Sequence, residues 1–449
     1  MNPAHGNPLL AGPIAPQLLR LAWPVLVVLA LQTLVGVAET WFVSFLGTSA
    51  LAGVSLVFPV FMLMAMMSNG GIGGGVSAAV ARARGAGRRE DADALAWHAV
   101  VLGIAFGALF TAGVFLGGPA LFARMGGEGS ALASAVLYAN LVFLAAIPGW
   151  IANLLAAALR GAGQVRVPAI VTAVGSFVTL GLSPLLIFGA GLGVAGAGVS
   201  VIVFNVGALL ALVLYMRSRS SPLRLRRSRL EARLFGDILK VGLLSAVGTI
   251  MSNLSVVVTT GLVGRYGTDA IAGYGLASRL DYLLIPLLFA LGTASLTMVG
   301  TNVGAHQHER ARRIAWTAAL VSALAVGAIG LVAALFPQAW MHLFSRDPAV
   351  VAAGVAYLRR VAPLYVVFGA GLSLYFSSQG AGRMAWPFAA GIVRLGALVG
   401  LAAWAAGSLE ALYWVVALTY LIFGGIIVFG MASGLAWGLS ARRAAQAST

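Results

Sequence analysis

The 449 residues include no cysteine. That excludes disulfides, thiolate nucleophiles and cysteine–metal sites together, and leaves the redox compartment unread. Charge is scarce as well: 9% of residues are Asp, Glu, Lys or Arg, and only 12 are acidic. Soluble domains carry roughly a quarter charged residues. Here 60% are hydrophobic and mean hydropathy is +0.98, so an ordinary soluble fold is excluded. An all-α polytopic membrane protein is indicated, with few residues outside the bilayer.

What the chain does contain, it says twice. Phe45-Leu46-Gly47-Thr48-Ser49-Ala50-Leu51-Ala52-Gly53 returns as Arg265-Tyr266-Gly267-Thr268-Asp269-Ala270-Ile271-Ala272-Gly273. Val80 to Ala92 returns as Val299 to Ala311, and Arg160 to Pro168 as Gln379 to Pro387. Three echoes in the same order at nearly one offset point to a duplicated bundle, and such bundles place a transport cavity between their copies.

Apolar stretches long enough to span a bilayer fall near 18–46, 51–80, 94–117, 133–159, 168–189 and 194–216. A second set falls near 238–264, 270–300, 314–337, 351–378, 388–407 and 410–438. The expectation is therefore about twelve transmembrane helices in two pseudo-symmetric six-helix lobes around a central cavity. The first lobe would occupy 1–216, a basic cytoplasmic linker 217–237, and the second lobe 238–449.

The net charge of +16 is not spread as a nucleic-acid surface. Arg82, Arg84, Arg88 and Arg89 share one gap, Arg217 to Arg233 fill the linker, Arg310, Arg312 and Arg313 share a third gap, and Arg442 and Arg443 lie in the tail. If the spans alternate, all of these fall on one side, the positive-inside pattern of an inner-membrane protein with both termini cytoplasmic. Arg359 and Arg360 break that pattern, near the outer end of the tenth span. The first residues lack a basic n-region and a cleavage site, and read as a short leader into an uncleaved first span.

The glycine-rich run at 69–75 lies between membrane helices, not after a strand, so it reads as close helix packing and not a phosphate loop. Arg160 to Gly163 reads as a tight turn between helices. His306 and His308 sit in a short turn without further ligands, so no metal site is expected. With no Ser/His/Asp or paired-carboxylate constellation, an enzyme is not expected either.

Among the acids, only Glu39 and Asp281 lie well inside apolar spans. A carboxylate there costs several kcal/mol unless it faces a cavity, finds a partner or binds a proton, and such residues are seldom kept without a use. Both are candidate proton- or cation-coupling residues. Gln32 lies two turns before Glu39 on the same face, with Gly36 between them leaving room. Asp281 follows Arg279 by two residues, a spacing that puts them on different faces. Arg394 is the other unmatched charge in a span. Pairing of Asp281 with Arg279 or Arg394 stands as the structural alternative to a coupling role. Candidate cavity residues are Gln32, Asn153, Thr179, Ser183, Asn205, Tyr274, Tyr282 and Arg394, with aromatic faces suited to an organic cation.

These features together resemble the multidrug and toxic compound extrusion (MATE) family. The marks are Glu39 followed by the Gly47 to Ala52 turn, Val299 to Ala305, Arg160 to Gly163 with Pro168, Ser183 to Gly189, and Gly193 to Ala197. The pattern is nearest to the DNA-damage-inducible prokaryotic branch. The resemblance implies two six-helix lobes and antiport of amphipathic, often cationic, compounds against protons or sodium by lobe rocking. The chain departs from the family in three places. Glu39 stands where an aspartate is common. Thr179, Ser183 and Val201 replace an Asn, an Asp and a Thr of that branch. Ser252 and Phe368 stand where another branch carries acids. The loss of oxygen ligands favours a proton over sodium as the coupling ion.

The reading is a secondary-active exporter of small organic compounds, a lipid-embedded monomer with no cofactor, coupled through Glu39 protonation. One alternative is a lipid-linked precursor flippase of the same superfamily, for which Arg279, Arg359, Arg360 and Arg394 would face the cavity to bind pyrophosphate. Another is a non-transporting membrane scaffold, indifferent to loss of Glu39.

Overall fold

Paired glycines at equivalent places in the two halves set where the helices begin and how closely they approach. Gly47 and Gly267 precede helices at φ +98° and +103°, a region closed to side chains with a Cβ. Gly161 and Gly380 lie against the carbonyls of Ser77 and Leu296, where a Cβ would collide. The sequence echoes thus mark backbone constraints shared by the two halves.

The computed structural model describes residues 8–402 and 407–437; no strand occurs among them. The helices are α1 (Ile14–Ser44), α2 (Thr48–Met66), α3 (Ile72–Gly85), α4 (Arg89–Arg124), α5 (Gly129–Leu144), α6 (Ala146–Gly161), α7 (Arg166–Pro184) and α8 (Val194–Arg217). The second half contributes α9 (Ala232–Val263), α10 (Thr268–Gly304), α11 (His308–Leu335), α12 (Pro337–Met341), α13 (Pro348–Val361), α14 (Tyr365–Ala381), α15 (Ala385–Ala402) and α16 (Leu409–Ala432). Among the described residues, eleven spans are long and apolar enough to cross a membrane, and α5 with α6, bent by 47°, makes a twelfth if counted as one span. The protein is a polytopic integral membrane protein. The end of the eleventh expected span, at 403–406, and Arg442 and Arg443 lie outside the described residues.

The bend follows from local chemistry. Pro148 sits in the first turn of α6, where its missing N–H needs no partner, and Ala145 leaves helical geometry at ψ 3°. A second irregularity, the π turn Met67–Gly71, joins α2 to α3. Gly73 lies against the Ser68 carbonyl and Gly75 against that of Ile238. The glycine run is a close-packing device, as its setting between membrane helices predicts.

Two compact units emerge. One is Trp23–Gly242, with a core built on Trp150, Leu154, Leu155 and Leu159 of α6; Trp150 stacks on Phe106 at 5.1 Å. The other joins the described parts of Met1–Ala22 and Leu243–Thr449, with Tyr357, Tyr365 and Tyr413 fully buried in its core. In this second unit the segment before α1 is held in place. Asn302 donates to the Leu9 carbonyl at 3.0 Å, Arg310 donates to that of Gly12 at 3.0 Å, and Leu9 and Leu10 are buried.

The basic linker is tied to the first unit. Arg84 donates to the Pro222 carbonyl at 2.9 Å, Arg224 N–H donates to Asp93 at 2.8 Å, and Arg233 grips Asp91 with two bonds. His98, fully buried, accepts the Glu231 N–H at Nε2 (2.9 Å) and lies 2.8 Å from the Ala94 carbonyl at Nδ1. That pair of contacts selects the tautomer protonated at Nδ1.

Candidate functional site

In the first unit, Glu39 lies on α1 within an apolar run. The hydroxyls of Thr33 and Thr40 are spent on the α1 backbone at Leu29 and Gly36, so α1 brings no spare donor beside it. Ser183, fully buried at the last turn of α7, presents its hydroxyl to the Glu39 carboxyl. Yet neither Glu39 Oε1 nor Ser183 Oγ completes a hydrogen bond of standard geometry, although both atoms are buried. Thr179, one turn earlier and also buried, gives its hydroxyl to the Gly175 carbonyl at 2.9 Å. Tyr138 of α5 lies within electrostatic range of the carboxyl. A buried acceptor without a donor costs about 1–3 kcal/mol, more when charged. A proton or a cationic ligand would relieve that cost.

Asp281, on α10 of the second unit, is the opposite case. Tyr357 donates to Oδ2 at 2.6 Å, Tyr420 donates to the same oxygen at 3.4 Å, and Tyr365 donates to Oδ1. Three phenols from α13, α14 and α16 replace the water this carboxylate would otherwise require. No ion pair joins Asp281 to Arg279 or Arg394 among the described residues. The Arg394 guanidinium instead lies over the rings of Tyr420 (5.0 Å), Phe423 (5.5 Å) and Phe368 (5.6 Å), a cation–π arrangement near the acid. Arg279 turns to the Phe344 ring at 5.6 Å.

The remaining candidates separate. Tyr274 joins the Asp281 cluster indirectly, edge-on to Tyr357 at 5.3 Å and stacked on Tyr413 at 6.5 Å. Tyr282 is exposed. Gln32 is exposed on α1. Asn153 donates to Ser68 at 3.0 Å beside the π turn, and Asn205 donates to the Val201 carbonyl at 3.0 Å while packing on Gly149. Neither asparagine is bonded to Glu39. Sequence reasoning missed Tyr138, Tyr357, Tyr365 and Tyr420. No spacing in the sequence joins them, since Tyr357, Tyr365 and Tyr420 lie on three different helices. Among the described residues no group of three His, Asp or Glu side chains is placed to hold a metal ion.

Comparison with known proteins fits this architecture. The family model described as MatE matches residues 24–185 and 245–404. The probable multidrug resistance protein NorM of Thermotoga maritima is 28% identical over 75% of this chain and 74% of its own length. An FAD transporter of Shewanella oneidensis is 26% identical over 78% of each. A solved outward-facing multidrug resistance MATE family transporter of the MOP superfamily aligns with a TM-score of 0.85 and 25% identity, over 97% of both chains. With the family model covering most of the sequence and the fold matching end to end, the chain belongs to the MatE family of transporters.

Proposed function

We propose that this protein is a secondary-active exporter of amphipathic, cationic organic compounds, driven by inward proton flow, with Glu39 as the coupling acid. One observation carries the reading: Glu39 Oε1 is buried and completes no hydrogen bond of standard geometry, although the Ser183 hydroxyl is presented to the carboxyl. In the deprotonated form that carboxylate attracts a cationic substrate. Protonation from outside removes the attraction and releases it, and loss of the proton inside restores the site. Linkage makes the effect reciprocal. One proton moving inward through 100 mV supplies about 2.3 kcal/mol, enough for modest uphill export. The names of relatives such as the Thermotoga protein support a multidrug substrate range.

Several further features belong to the same reading. Lobe rocking is the transport motion that the family resemblance implies, the molecule acts as a monomer in the inner membrane, and both termini face the cytoplasm, the side of the arginine-rich loops. A proton is favoured over sodium because a lone carboxyl with few free oxygens suits a hydron better than a cation cage. Asp281, saturated by phenols, acts chiefly to hold α10, α13, α14 and α16 together.

A second reading, transport of a phosphate-bearing cargo, draws on the relative named as an FAD transporter. It needs arginines free to bind phosphate. Of the four arginines named for it, Arg394 is stacked on three rings, Arg279 lies over Phe344 and Arg360 is paired with Glu410, which weighs against it and against a lipid-linked flippase; Arg359 alone has no ion-pair partner among the described residues. The deciding experiment measures dye efflux and pH-dependent dye binding in wild type, Glu39→Gln and Asp281→Asn. Loss of efflux in Glu39→Gln with the fold intact is expected. Undiminished efflux would remove Glu39 from the mechanism, and sodium-dependent, pH-insensitive transport would reverse the ion assignment.

A further inference from the structure

The two arginines that break the charge rule lie in a basic groove of the second unit. α13 lends it one stripe, running from Pro348 through Ala352 and Ala356 to Arg359 and Arg360. The segment after α11 adds His342 and Arg346, and the first turns of α16 add Glu410 and Trp414. The groove lies at the C-terminal end of α11, whereas the arginines at 310–313 lie at the N-terminal end of that same helix. It is therefore at the end of the second unit opposite Arg310, Arg312 and Arg313.

Its charges are not cancelled internally. Glu410 is the one acid in the lining and is paired with Arg360, which also donates to the Ala356 carbonyl at 2.9 Å and lies 5.9 Å from the Trp414 ring centre. Asp347, next to Arg346, is spent capping α13 through the N–H groups of Ala349 and Val350. Arg346 and Arg359 are both exposed and have no ion-pair partner among the described residues. Two guanidiniums without ion-pair partners thus share with the paired Arg360 a groove of about 750 Å³, within the roughly 300–1,000 Å³ usual for small-molecule sites. Planar guanidinium forks match phosphate oxygens.

The rim identifies the source of that phosphate. Trp414 of the lining is 60% exposed, and Leu343 (71%) and Phe344 (44%), which follow His342 in the sequence, are exposed as well. Exposed aromatic and aliphatic side chains next to arginines are the composition of the headgroup layer, where acyl chains and phosphates meet. A free anion would have no use for them. We propose that this groove binds the phosphate of an anionic phospholipid headgroup, with Arg346 and Arg359 as its main donors and Trp414 against the glycerol and upper acyl region.

The site stands independently of the Glu39 reading, since it concerns a different face and a different ligand. The test is native mass spectrometry and equilibrium binding of the full-length protein in nanodiscs of phosphatidylglycerol or phosphatidylcholine, with inorganic phosphate as a separate arm. Wild type should retain phosphatidylglycerol selectively, and millimolar inorganic phosphate should fail to displace it. Arg346→Gln and Arg359→Gln should each weaken retention about fivefold, the size of one interfacial charge. Arg359→Lys should keep part of the affinity. Arg313→Gln, at the opposite end, should change nothing at this site, and unchanged thermal unfolding of each variant confirms its fold. Equal retention by wild type and the Arg346→Gln/Arg359→Gln double variant would overturn the proposal. So would tight binding of inorganic phosphate with no preference between the two lipids.

Discussion

Glu39 on α1 and Ser183 on α7 face one another with an unsatisfied oxygen on each side. The other intramembrane acid, Asp281, has both carboxylate oxygens occupied by phenols. The first arrangement is poised to gain or lose a partner, and the second is already complete. Substitution of the two acids should therefore fail in different ways.

Removing one phenol from Asp281 should cost stability, not coupling. Hydrogen bonds to a charged group contribute about 1.5–3 kcal/mol, so Tyr365→Phe should lower the unfolding temperature in detergent while leaving dye efflux largely intact. Asp281→Asn should destabilise by a similar amount, because Arg394 then loses its nearby countercharge. A thermal-shift series beside an efflux assay separates the outcomes. Normal stability with abolished efflux would give Asp281 the coupling role instead.

The helix contacts under the repeated glycines predict a sharp contrast. Gly161→Ala and Gly380→Ala would each drive a methyl into a carbonyl of the neighbouring helix, and overpacking of this kind costs about 1–3 kcal/mol. Gly113→Ala meets nothing within 4 Å and should be neutral or slightly stabilising through helix propensity. Yields of folded protein and unfolding temperatures of the three variants check this directly.

His98, on α4, holds the linker through Nε2, while its Nδ1 contacts the Ala94 carbonyl of the same helix. His98→Phe fills much of the same space against Phe235 but leaves the Glu231 N–H without its acceptor. Limited proteolysis should then cut residues 218–231 several times faster than in wild type, with cleavage inside the helices unchanged. Equal cutting rates would show that the Arg84–Pro222, Arg224–Asp93 and Arg233–Asp91 contacts secure the linker without His98.

Coupling by one acid fixes a sign. If a monocation binds the deprotonated carboxylate, lowering pH protonates the site and weakens binding, by at most tenfold per pH unit for a single group. An inwardly directed proton gradient should drive dye out, a protonophore should stop it, and a sodium gradient should have no effect. Transport in proteoliposomes under each imposed gradient measures this.

Much of the fold was legible because duplication leaves marks at positions that tolerate one residue. Gly47 and Gly267 share a positive φ, and Gly161 and Gly380 share a close carbonyl, so those letters persist while apolar neighbours drift. Spans were legible from length and hydropathy. The break between α5 and α6 was not, because hydropathy reports the run of apolar residues and not its direction. The docking of Leu9 and Leu10 was hidden too, since a short segment before a long span reads as a leader. At the site, Glu39 and Asp281 stood out through the cost of charge in hydrocarbon, and Ser183 through its place in the family pattern. The phenols around Asp281 did not, because tyrosine in a membrane helix is ordinarily packing or interfacial belt, and only the meeting of three helices reveals a shared target.

The most direct test counts protons. Purified protein in weakly buffered detergent solution is titrated with a monocationic dye while released protons are measured. Wild type should release up to one proton per dye bound, and Glu39→Gln should bind more weakly and release none. Equal proton release from both proteins would contradict Glu39 as the coupling acid.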